Sequence, residues 1–121
     1  MTENKNPKQY DLEDRTLLFA KKVRKFVKDL PGSTGNFEDG KQLIRSSGSV
    51  GANYIETNEA VSKKDFVFRI RICRKEAKES GYWLKLLDTN NSENLEKSRS
   101  LLINESTELM KIFAAILKKS L

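Results

Sequence analysis

The side chains best placed for chemistry are cations with one ring among them: Lys64, Arg71, Arg74, Lys75, Lys78 and Lys85, with Tyr82 between the last two. At 100° per residue they occupy about a third of a helix circumference, so a helix here would carry them as one stripe. Aligned cations can follow a phosphate backbone, and an interleaved ring can stack on a base. A solvated lysine-rich face has the same composition. Acid–base chemistry has less to work with. Glu76 and Glu79 would be neighbours on a helix, but no nucleophile, ligand set or phosphate-binding loop accompanies them. The chain has no histidine at all. That excludes a Ser-His-Asp triad, a Cys-His dyad, a HExxH zinc site and Glu-x-x-His di-iron pairs built from one copy. No catalytic residue, metal site or cofactor is assigned.

Formal charge is +6, unevenly placed. Residues 1–60 hold ten Lys and Arg against nine Asp and Glu; residues 61–121 hold thirteen against eight. The excess favours phosphate-rich partners. With 121 residues, one domain with a modest core is expected. No apolar run reaches the length of a membrane span, and the polar stretch Met1–Asp11 lacks the apolar centre of a secretory leader. The single cysteine, Cys73, reads as a small core residue and fits a reducing compartment. A cytoplasmic protein with no membrane association is expected.

These side chains need helices to position them. Pro and Gly are scarce and no strand-period alternation is sustained. Apolar spacing predicts helices over 12–30, 38–60, 63–89 and 93–119, behind a polar tail over 1–11. Leu12, Phe19, Val23, Phe26 and Leu30 share one face of the first helix, which Pro31-Gly32 stops. Asn36 is expected to cap the second, whose apolar face is Leu43, Ile44, Val50, Tyr54 and Ile55. Gly48 and Gly51 lie inside that helix, either for close approach of another backbone or for a kink. Ser62 with Asp65 opens the third helix, and Phe66, Ile70, Cys73, Ala77, Ser80, Leu84 and Leu87 face inward. In the fourth, Leu95, Leu102, Leu109 and Ile116 recur every seven residues, with Leu101, Ile112, Phe113 and Leu117 widening the stripe. Short joins make this an all-α, antiparallel up-down-up-down four-helix bundle.

Two further polar sets belong to structure or assembly. Ser49, Asn53 and Glu56 fall on one stripe of the second helix, suited to hydrogen bonds with a facing helix or subunit, or to plain exposed surface. Arg69 and Glu76, at the inner edge of the third, suit a buried ion-pair network that favours one packing arrangement. Val67 and Phe68, with Tyr54 and Ile55, leave apolar area for a subunit interface. A second basic face, Lys21, Arg24, Lys25 and Lys28, would extend the stripe if the two adjoin.

The run Ser49-Val50-Gly51-Ala52-Asn53-Tyr54-Ile55-Glu56 is followed by Ser62, Asp65-Phe66, Lys75-Glu76-Ala77-Lys78-Glu79-Ser80 and Trp83-Leu84-Leu86-Leu87. In these residues the chain resembles the bacterial four-helix-bundle proteins related to those encoded in intervening sequences of 23S ribosomal RNA genes. That group includes the accessory variability protein of diversity-generating retroelements. The likeness covers about Asp11 to Leu117. It implies a left-handed antiparallel bundle assembled as a homopentamer, often with a central pore. For the retroelement branch it implies binding of RNA or DNA, and of a reverse transcriptase, through basic surface. Two readings follow. One is a non-enzymatic oligomer binding nucleic acid through Lys64, Arg71, Arg74, Lys75, Lys78, Tyr82 and Lys85. The other is a protein-interaction scaffold for a partner encoded nearby, such as a reverse transcriptase, with no direct nucleic-acid role.

Overall fold

The computed structural model describes residues 7–121, with side chains from Leu12 onward. Four helices run α1 Pro7–Lys28, α2 Thr34–Asn58, α3 Lys63–Leu86 and α4 Glu93–Ser120. Each packs on its sequence neighbours, and α1 also packs on α4; the α1–α3 and α2–α4 backbones lie diagonally across the core. This is an all-α four-helix bundle with α1 and α3 on one diagonal. Phe19, Val23 and Phe26 meet Leu43, Val50, Ile70, Cys73, Leu84, Leu109 and Phe113 in one core. No described helix is long and apolar enough to cross a membrane.

Helix ends depart from expectation for identifiable reasons. Of the expected polar tail, Pro7–Asp11 belong to α1, since proline is tolerated in a first turn; Met1–Asn6 lie outside the described residues. Helix α2 starts earlier than expected because Ser33, not Asn36, caps it: the Ser33 hydroxyl accepts the Asn36 backbone N–H at 3.0 Å. The Asn36 side chain is thereby free for another task. Its Oδ1 accepts the Asp88 N–H and its Nδ2 donates to the Asp88 carbonyl, both at 2.8 Å, and Nδ2 also donates to the Pro31 carbonyl at 2.9 Å. One buried amide thus ties the α1–α2 loop to the α3–α4 loop. Helix α3 stops at Leu86, short of the expected Thr89, because the chain must turn outward to bring Asp88 to Asn36. Asn90 and Asn91 then take left-handed conformations, which asparagine tolerates. Serine caps open α3 and α4 as well, Ser62 taking Asp65 N–H and Ser92 taking Leu95 N–H. Arg99 of α4 reaches the open carbonyls of Leu84 and Leu87 at the end of α3. Its ion pair and the Thr89 hydroxyl hold the Glu96 carboxyl below its ordinary pKa.

Seams differ in closeness. Along α2–α3, Ser46 and Ser80 are buried with their hydroxyls 2.9 Å apart, and Thr57 lies against Cys73. Burial pushes the Cys73 thiol up to about 11, so it stays protonated in the core. On α1–α2, a Cβ at Gly51 would lie 2.9 Å from Thr16 Oγ1. That close approach is the reason for a glycine here, and α2 runs on without a break at Gly48. The α1–α4 seam is the loosest. It leaves a cleft of about 620 Å³ floored by Phe19, Phe26 and Leu102. Leu101, expected to widen the core stripe, stands 65% exposed beside it. The bidentate Arg15–Glu105 pair spans this seam.

Gly51→Ala is expected to lower stability by about 1–2 kcal/mol in urea titration, because the added methyl overpacks Thr16. Gly35→Ala, with nothing within 4 Å of the new Cβ, should instead stabilise by about 0.5–1 kcal/mol. Equal gains at both sites would mean that the α1–α2 approach is slack.

Candidate nucleic-acid interface

Ser62 fixes the start of α3, and with it the phase of every side chain on that helix. Lys64, Arg71, Lys78 and Lys85 stand seven residues apart, about 10.5 Å per step along the axis. Arg74 and Lys75 fill the middle. All six are exposed, and none forms an ion pair with a described residue.

That lack of partners has a local cause. Helix α3 carries three carboxylates, Asp65, Glu76 and Glu79, and each is engaged off the stripe. Asp65 serves the N-terminus, accepting the Val61 N–H at 3.3 Å, and lies 3.6 Å from Arg69. Glu76 and Glu79 both face Arg45 of α2, Glu76 at 3.4 Å and Glu79 in a shorter contact. The two carboxylates raise the Arg45 pKa against the opposing effect of its desolvation. Glu79 also accepts the Trp83 indole N–H at 2.9 Å. Tyr82, 58% exposed, stands edge-on to the Trp83 ring, centroids 5.1 Å apart at 74°. Lys64, Arg71, Arg74, Lys75, Lys78, Tyr82 and Lys85 therefore share one outward face.

The other polar residues singled out in the sequence do not converge. Asn53 donates to the Ser49 carbonyl at 2.9 Å and so bonds within α2, not to a facing helix. Glu56 is exposed. Arg69 pairs along its own helix with Asp65 and lies over the Phe68 ring, whereas Glu76 pairs across the seam; the two do not form one network. The Arg69 Nε is buried without a hydrogen-bond partner. The basic face of α1 lies on the opposite corner from α3, so it does not extend the stripe. There Lys25 pairs with Asp29. Phe68 and Ile55 are half exposed, whereas Tyr54 packs on Phe113, ring centroids 5.9 Å apart. Among the described residues no group of three or more His, Cys, Asp or Glu is placed to hold a metal. Sequence reasoning missed Arg45. Its signal was being the lone arginine of α2, immediately before the buried pair Ser46 and Ser47.

The family model described as 23S rRNA-intervening sequence protein matches residues 8–115. Among solved structures, a protein of unknown function from the S23 ribosomal protein family of Bacteroides thetaiotaomicron VPI-5482 is similar. Identity is 34%, the match covers 88% of this chain and 97% of that one, and the TM-score is 0.76. No curated protein matches.

Arg45→Ala leaves the nearly buried Glu76 carboxylate without its counter-ion and should cost about 1–2 kcal/mol, less than a fully buried pair because Arg45 is half exposed. Adding Glu76→Gln should recover part of that loss in a double-mutant cycle. Additive losses would show that Arg45 acts without Glu76.

Proposed function

This chain belongs to the 23S rRNA-intervening sequence protein family, and we propose that it is a non-enzymatic accessory protein that binds nucleic acid through the outer face of α3. The observation that carries the reading is the segregation of charge on that helix. Six exposed cations lie in line, and all three carboxylates of α3 are drawn away to the helix start or to Arg45. A solvated helix face laced with salt bridges alternates both signs, and this one does not. A face of one sign attracts a polyanion and releases its counter-ions. Titration of labelled oligonucleotide by anisotropy should show affinity falling steeply with salt. The triple variant Arg71→Ala, Arg74→Ala, Lys78→Ala should bind at least tenfold more weakly at low salt. Its plot of log affinity against log salt should be shallower by about 2 units. Undetectable binding at low salt, or a triple variant that binds like the parent, overturns the reading.

Self-assembly into a homopentamer is part of the same proposal. Its support is the family likeness and the exposed apolar residues Leu17, Leu18, Ile55 and Leu101 along both seams of α1. Light scattering at micromolar concentration should return five times the 13.9 kDa chain mass. A clean monomer removes the ring.

A further inference from the structure

We infer that Tyr82 is a stacking platform for an unpaired base, which makes single-stranded nucleic acid the ligand class of α3. The inference rests on the nucleic-acid reading above and deepens it. More than half of this ring is exposed, and it sits about one turn from both Lys78 and Lys85 on the cationic line.

The ring is held in place from behind. Trp83 meets it edge-on at 5.1 Å, the Trp83 indole N–H is fixed by Glu79 at 2.9 Å, and Glu79 is clasped by Arg45. This chain of contacts runs back to α2, so the phenol is ordered before any ligand arrives. A preordered aromatic loses little entropy on binding. Stacking on such a ring is tolerant of sequence, since every base has a π-face.

Duplex is the poorer fit. Helices α2 and α4 cover both flanks of α3. A helix so flanked cannot sink to base edges on the floor of a major groove about 8.5 Å deep. A duplex would meet the stripe through phosphates alone and leave Tyr82 without a base. A single strand can lay its phosphates along Arg71, Lys75, Lys78 and Lys85 and turn a base onto the ring.

The test uses the whole chain with labelled oligo(dT), labelled oligo(U) and a mixed-sequence DNA duplex of equal length, at fixed low salt. Tyr82→Ala should weaken single-strand binding about tenfold, on DNA, RNA or both, with less than twofold change on duplex. Tyr82→Phe, which keeps the π-face, should stay within twofold of the parent on every strand. The salt slope of Tyr82→Ala should match the parent, because no phosphate contact is lost. Trp83 is the sole tryptophan, so its fluorescence should change on adding single strand and not on adding duplex. Circular dichroism melts of the variants check that the fold is intact. Equal affinity losses on single strand and duplex, no loss on either, or a parent that prefers duplex overturns the stacking inference while leaving the electrostatic reading standing. A parent that binds none of the three strands overturns the electrostatic reading itself.

Discussion

Arg45 crosses the α2–α3 seam to two carboxylates one turn apart, and the character of α3 depends on that reach. Without it, Glu76 and Glu79 would be unpaired carboxylates on a cationic helix and would offset part of its field. With it, the acids are held on the α2 side, where they also serve packing. The guanidinium fork suits the task better than an ammonium, since it presents donors to both carboxylates at once. Helix phase sets the carboxylates of α3 on the seam, and one cation on α2 pairs with them there, leaving the outer face cationic.

The seam itself is built from small residues. Ser46 and Ser80 bring α2 and α3 close enough for Arg45 to span, and their hydroxyls bond to each other or back to the Leu43 and Glu76 carbonyls. Each buried hydroxyl has a partner, so the polar core adds no unsatisfied group there. Close approach on this side has a counterpart in the looser α1–α4 side, where larger side chains and the Arg15–Glu105 pair bridge a wider gap.

Helix number, order and inward faces were legible because they depend on apolar periodicity, which is local. Leu43, Val50, Ile70, Cys73, Ala77, Leu84, Leu109 and Phe113 are all buried as their spacing predicts. The cap Ser62 could be read for the same reason, since it bonds three residues ahead. Asn36 could not. Its residue type suits a cap, but its partner is Asp88, set by tertiary structure, and Ser33 takes the local role. Leu101 and Ile55 fit the stripe by spacing yet stay half exposed or more, because a helix at a bundle corner buries a narrower arc than its pattern offers. The basic stripe was legible as geometry, since phase along one helix fixes it. Its freedom from ion pairs was not, because that depends on Arg45 of another helix.

The amide of Asn36 has a consequence for how the chain comes apart. Viewed as two hairpins, α1–α2 and α3–α4, the molecule is joined covalently at the α2–α3 turn and latched at the opposite end by a side chain bonding to a backbone 52 residues away. Closing that span costs chain entropy, recovered only when both hairpins are already in place. The latch therefore reports on completed assembly of the hairpins. Swinging one hairpin off the other must break it together with the α2–α3 core, which couples the two halves into a single cooperative unit.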